Sequence, residues 1–381
     1  MSMSDSIPSD FPRTRAVVQQ GITERLHLGA QVAIWRHGRM IGEFAVGEAS
    51  PGKPLRNDHL LPWLSSSKPV AALAIAQLVE QGRMRLDDPV SGHLPEFGVG
   101  GKEAITLRHL LTHTAGFRAA DQIPPNLPRD EMLARINATP LEAGWIPGEK
   151  AGYQLFSSWC VLGELLRRLT GLTFDRLARE RVFAPLGIED AWIGMTPDEL
   201  EANRDRLAFL WNTFQGEPRP FEETDDDVLI SSPGRSGRGP VHELVKSYNA
   251  LLGTLDGTAL NYASIVGSAT LRAFTGRQRV GMYDHTFRRV MDWGFGFIPN
   301  PAGRDGEAVP YGYGPHASAD AFGHGGAQSS CAFADPAHAL AVAWICNGRP
   351  GEPRHQRRAW AINAAIYEDL GLAAGRNEKP G

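Results

Sequence analysis

The chain has 381 residues, 42% of them hydrophobic and 22% charged, which excludes a disordered polymer and predicts two or three compact units of roughly 100 to 200 residues. Lys and Arg number 39 against 43 Asp and Glu, and the net charge of -4 excludes an electrostatic surface for a nucleic-acid partner. Three scattered cysteines, Cys160, Cys331 and Cys346, make neither a disulfide framework nor a Cys-x-x-Cys metal site, and point to a reducing compartment.

The stretch from Met1 to Asp10 is polar and acidic where a signal peptide is basic and then apolar, and no apolar run reaches the roughly 18 residues of a membrane span. A soluble, cytoplasmic protein with no membrane partner is expected. An amphipathic helix is predicted around Arg15 to Leu26. Gln31–Trp35 and Met40–Val46 are β-prone runs about Arg36-His37-Gly38-Arg39, where Gly38 supplies the positive φ of a tight hairpin.

From there the period changes from two to about 3.6. Val70–Val79 reads as a helix stopped by Gly82. Thr106 opens another carrying Leu107, Leu110 and Leu111, Val161–Leu169 is closed by Gly171, and a fourth runs from Pro240 to Leu252. Gly216–Gly239, with its acidic run Glu222 to Asp227, reads as a solvated loop or lid. Trp293–Ile298 predicts a strand, and Gln328–Ala334 and Ala339–Cys346 a second antiparallel pair about Asp335-Pro336-Ala337-His338. A last amphipathic helix covers Arg358–Leu370.

Strands near both termini with helices between them predict an α+β fold: one antiparallel sheet flanked by helices and a mainly helical insertion. The expected division is 1–64 with 275–381 for the sheet domain and 65–274 for the insertion, with the active site in the cleft between them.

Ser-x-x-Lys in a helix puts both side chains on one face, where a neutral lysine can take the proton of an attacking serine. Ser50-Pro51-Gly52-Lys53 fails because Pro-Gly makes a turn. Ser65-Ser66-Ser67-Lys68 stands at the start of the helical run, where Ser65 is expected as N-cap beside free N–H groups that could hold an oxyanion. Taken alone, the same four residues also describe a capped helix with a solvated lysine.

Three further segments follow in order: Leu110-Leu111-Thr112-His113-Thr114-Ala115-Gly116-Phe117, Pro147-Gly148-Glu149-Lys150-Ala151-Gly152-Tyr153, and Phe322-Gly323-His324-Gly325-Gly326-Ala327. With Glu80 to Val90, they make the chain resemble the class C β-lactamase-like serine hydrolases of the penicillin-binding-protein superfamily, and within them the family VIII carboxylesterases. The resemblance runs from about Ala30 to about Asn347. It implies a β-lactamase/DD-peptidase-like fold, a Ser65 nucleophile, Lys68 as its activator and Tyr153 as the proton-transferring phenol, which could become a phenolate beside a cationic lysine. It also implies an oxyanion hole from the N–H groups of Ser65 and Ala327, with His324, Gly325, Gly326 and Leu155 lining the substrate site and His324 bonding substrate or Tyr153.

Two positions depart from the lactamase pattern. Leu155 stands where an amide-binding asparagine is usual, and His324 replaces the lysine of Lys-Thr-Gly. Gly-His-Gly-Gly and Tyr153-x-x-x-Ser157 favour the esterase branch. The expected function is hydrolysis of short-chain carboxylic esters, a small-molecule substrate, without a cofactor. The alternatives are β-lactam or peptide-amide hydrolysis, acyl transfer through the same acyl-enzyme, or a penicillin-recognising module without turnover.

Other patterns are weaker. His109 and His113 have the spacing of two metal ligands but lack the intervening glutamate, Asp225 to Asp227 lack EF-hand spacing, and no Gly-x-Ser-x-Gly is complete, so no metal and no α/β-hydrolase is expected.

Overall fold

The computed structural model describes residues 10–214, 216–221, 223–258, 264–300 and 310–373. Met1 to Ser9 of the polar N-terminal stretch and Glu222 of the acidic run lie outside the described residues.

Helix α1 (Pro12–Thr23) precedes strands β1 (Gly29–Arg36) and β2 (Arg39–Ser50). His37 and Gly38 both hold positive φ, 50° and 75°, the pair that a two-residue hairpin turn needs to match the strand twist. A short β3 (Lys53–Pro54) extends this edge. At the other end of the chain come β4 (Ile298–Pro299), β5 (Phe322–Gly325), β6 (Ser330–Asp335) and β7 (Leu340–Cys346). Among the described residues these seven strands form one antiparallel sheet in the order β4-β5-β6-β7-β1-β2-β3. The two chain ends meet where β1 pairs β7, Ala30 opposite Cys346 through Arg36 opposite Leu340.

Period-two alternation explains how this sheet buries both faces. Val32, Ile34, Val342, Trp344 and Phe333 point one way, under α1 and the C-terminal helix (Glu352–Asp369), whose Ile362 and Ile366 complete that layer. Ala33, Ala341, Ala343 and Ile345 point the other way, where small side chains admit a helix closely. That helix is Val241–Asp256, which packs against β1, β6 and β7 although it falls within the 65–274 stretch expected to be the insertion.

Between β3 and β4 lie α2 (Lys68–Glu80), α3 (Leu107–Leu111), α4 (Arg129–Ala138) and α5 (Ser157–Thr170). Thr106 caps α3, and Gly171 closes α5 in the left-handed conformation. Two expectations are corrected. Trp293–Ile298 does not form a continuous strand, because Gly294 N–H bonds back to Phe297 O and Gly296 N–H turns away to Leu111 O; Trp293 makes an isolated bridge to Arg279, and Ile298–Pro299 pairs with β5. The Gly216–Gly239 stretch is not all loop: Thr224 caps a helical turn at Asp225–Leu229, and Gly237–Gly239 pairs with Leu61–Pro62 and Trp192–Ile193.

Candidate active site

Ser65 is not the cap of α2. It sits in a 3-10 turn, Leu64–Ser67, entered through Leu64 at φ 51°, a left-handed conformation that a bulky residue holds only when its surroundings force it. Packing supplies that force. The Oγ of Ser330 donates to the Trp63 carbonyl at 2.7 Å, and a Cβ on Gly326 would collide with that carbonyl and with Leu64. The three serines then divide. Ser66 Oγ lies 2.9 Å from Ser330 Oγ, and Ser67 Oγ donates to Leu64 O while accepting Gly237 N–H, so both are consumed within the fold. Ser65 alone is half-buried and faces Lys68 and Tyr153.

Lys68 Nζ is 2.9 Å from Ser65 Oγ, and donates to Leu155 O at 2.7 Å and Gly234 O at 2.9 Å. Its side chain is fully buried, and burial lowers the ammonium from its usual range to about 7, with Asp121 opposing the shift. At neutral pH an uncharged amine is therefore well populated. Such an amine donates two hydrogen bonds, matching the two carbonyls, and keeps one lone pair for the serine hydroxyl.

Tyr153 Oη donates to Ser65 Oγ at 3.0 Å. The residue is anchored from both sides: its N–H donates to the Asp284 carboxylate and its carbonyl accepts from Thr286 Oγ1. Asp284 is paired in turn with Arg279 at 3.0 Å, both fully buried. The ring packs against His113, Phe287 and Trp293 at centroid distances of 4.5, 5.0 and 5.4 Å. Burial raises the phenol well above its usual value, which disfavours a phenolate: the phenol stays protonated, and Lys68 is the member of the pair whose neutral form is populated near pH 7.

Leu155 contributes its backbone. Its side chain is 51% exposed, while its carbonyl holds Lys68 and its N–H donates to Asp121. Asp121 accepts the N–H groups of Leu155, Phe156 and Ser157 together, capping α5 from 36 residues upstream. No local spacing announces this residue, the Gly234 carbonyl as a partner of Lys68, or the Arg279–Asp284 pair.

Across the cleft, β5 is bolted to the Ser65 turn by Ser66 Oγ donating to His324 O at 3.3 Å. Gly325 and Gly326 are buried, and the absence of a side chain serves packing inside the protein, since a Cβ on Gly325 would strike the Tyr311 ring. The next residue, Ala327, is in a turn and partly exposed, and its N–H has no partner among the described residues. His324 does not bond Tyr153. Its ring is buried, Nδ1 donates to Gly325 O at 2.8 Å, Nε2 has no partner among the described residues, and burial pushes it down to about 3. Of the two histidines at metal-like spacing, His109 Nδ1 accepts Thr106 N–H in the α3 capping box, and His113 Nδ1 accepts Gln154 N–H while its Nε2 has no partner among the described residues.

A serine hydroxyl held between a buried lysine and a tyrosine phenol, beside an antiparallel sheet, defines a site of the penicillin-recognising kind. Residues 14–366 match the Beta-lactamase family, and the chain belongs to it. It is 32% identical over 249 residues to Esterase EstB of Burkholderia gladioli, a match spanning 60% of each chain. To Penicillin-binding protein 4 of Amycolatopsis lactamdurans it is 29% identical over 335 residues, 86% of this chain and 82% of that one. Among solved structures it resembles a penicillin-binding protein homologue from Caulobacter crescentus, with 29% identity, TM-score 0.76 and 93% and 97% of the two chains covered. A family VIII carboxylesterase is similar at 25% identity and TM-score 0.77, covering 94% and 97%. Among the described residues, no helix is long and apolar enough to cross a membrane.

Proposed function

We propose that the protein is a serine esterase that hydrolyses short-chain carboxylic esters through an acyl-enzyme on Ser65. The observation that carries this reading is Ser65 Oγ held between Lys68 Nζ at 2.9 Å and Tyr153 Oη at 3.0 Å. Ser65 Oγ attacks the ester carbonyl carbon while its proton passes to the neutral Lys68 amine. The N–H groups of Ser65 and Ala327 take the developing oxyanion. When the tetrahedral intermediate collapses, the carbon–oxygen bond to the alcohol breaks, Tyr153 gives its proton to the departing alkoxide, and the Lys68 ammonium restores it. Water then repeats the attack, its proton goes to Lys68, and Ser65 leaves as a hydroxyl again.

The ester rather than the amide is favoured by Leu155, whose exposed side chain has no amide-binding group, and by the buried, neutral His324, which offers no cation to a β-lactam carboxylate. The esterase relative supports the same choice. Hydrolysis of p-nitrophenyl butyrate beside nitrocefin tests it: ester turnover that disappears in Ser65→Ala is expected, and turnover unchanged in that variant ends the reading. Nitrocefin turnover exceeding ester turnover would move the protein to the lactamase branch.

A further inference from the structure

A cavity of about 490 Å³ lies behind the Lys68 clamp, within the size range of small-molecule sites. Met132, Leu133, Phe156, Cys160, Phe174 and Ile230 give it an apolar lining, and neither Ser65, Lys68 nor Tyr153 reaches it. Two of its walls are shared with the catalytic corner. Phe156 directly follows Leu155 and Pro233 directly precedes Gly234, the two residues whose carbonyls hold Lys68 Nζ. The cavity is thus one residue removed from each arm of the clamp.

Its rim selects against anions. Arg129 pairs with Asp130 at 2.7 Å and lies 3.6 Å from Glu164, and Arg167 pairs with Glu164 at 2.8 Å, whereas Asp175 and Asp226 on the same rim have no ion pair among the described residues. The Cys160 thiol, pushed up to about 12 by burial, keeps the wall uncharged. An apolar surface of this kind gains by exchanging water for hydrocarbon, and a carboxylate at its mouth would meet two aspartates.

We propose that this cavity is a second binding site, for a neutral apolar molecule, and that its occupancy is transmitted to Lys68 through the Leu155 and Gly234 carbonyls. A ligand pressing on Phe156 or Pro233 moves the carbonyls that help decide whether Lys68 holds a proton. The transmission to Lys68 rests on the serine-hydrolase reading; the binding does not.

The probe is N-phenyl-1-naphthylamine, a neutral dye that brightens in apolar surroundings, titrated into the full chain. Leu133→Trp and Ile230→Trp, two half-buried wall positions outside the catalytic corner, fill the space. Binding to the wild type and weakening by about tenfold or more in both variants, each melting like the wild type, is the expected result. Absence of binding, or equal binding in both variants, overturns the site. For the transmission, the rate of fluorophosphonate labelling at Ser65 is followed against pH with and without saturating dye. A midpoint moved by about 0.3 of a pH unit or more, and only in the wild type, is expected; an unmoved midpoint overturns it. Because labelling needs no ester turnover, a protein that binds dye and shifts its midpoint yet leaves esters intact would sink the esterase reading and uphold this one.

Discussion

Two regions of the molecule bury a lysine against backbone carbonyls, and only one of them can do chemistry. At the end of α4, Lys102 donates to Asn137 O at 2.8 Å and to Thr139 O; at the catalytic corner, Lys68 donates to Leu155 O and Gly234 O. Both side chains are fully buried, and burial lowers both ammonium groups. The difference is the third partner. Lys68 has Ser65 Oγ at 2.9 Å, whereas Lys102 has the terminal carbonyls of a helix, which favour a positive charge and offer no proton. Desolvation alone therefore makes a buried lysine, and a hydroxyl within reach makes it a base.

Substituting each lysine by methionine breaks the comparison most sharply. Lys68→Met is expected to lower kcat on p-nitrophenyl butyrate by about 10³-fold or more, since residues that act as a unit fail together. Lys102→Met is expected to leave kcat and KM unchanged and to lower unfolding stability by about 1–3 kcal/mol for orphaned carbonyls, read by urea denaturation. Equal losses of activity in the two variants would mean that Lys68 also serves only the fold. Next in size is Tyr153→Phe, which keeps the ring against His113, Phe287 and Trp293 but removes the O–H that donates to Ser65 Oγ. A loss of about 10²- to 10⁴-fold in kcat with the melting temperature preserved is expected.

The pH profile gives the third effect. A base must be unprotonated, so the rate should fall as pH drops through about 7, the Lys68 value, and level off above it. Between pH 8 and pH 6 the neutral fraction falls about tenfold, and kcat should follow it. A profile flat from pH 6 to pH 8 would remove Lys68 as the base.

How much of this was legible in the sequence follows from where each signal sits. Ser65 and Lys68 share one helical turn, and the hairpin about Gly38 is local, so spacing and turn chemistry reach them. The period predicts a helix over Pro240–Leu252, where Val241–Asp256 forms, but its docking on the sheet depends on Ala33, Ala341 and Ala343, whose small size has no meaning until the strands are paired. The Lys68 clamp is assembled from Leu155, Gly234 and Asp121, remote in sequence and partly acting through carbonyls that any residue could supply. The division of the proton between Tyr153 and Lys68 escapes the sequence for the same reason: spacing allows either a phenolate or a neutral amine, and burial, which disfavours both charged forms, is set only by the fold.

The smallest expected effect concerns a third buried cation, which sharpens the contrast between lysines because arginine cannot give up its proton. Arg358 is 4% exposed, and its partners among the described residues are backbone carbonyls and histidines, with no carboxylate. Its Nη1 donates to Leu26 O at 2.8 Å, and its Nη2 donates to Gln328 O at 2.9 Å and Gly348 O at 3.2 Å, with His27 and His355 beside it. Gln328 holds φ 55°, a strained conformation for its type, and its side chain is fixed by Gly351 N–H at 2.7 Å. This turn begins at Ala327, the proposed oxyanion donor. A guanidinium fork can span those carbonyls where a single ammonium cannot, so Arg358→Lys keeps the charge and loosens the turn. A drop in kcat of about threefold to tenfold with KM unchanged is expected, below the roughly 10²-fold of a lost oxyanion donor because the N–H is displaced and not removed. A variant that loses stability while kcat is unchanged would confine Arg358 to holding the sheet against its C-terminal helix.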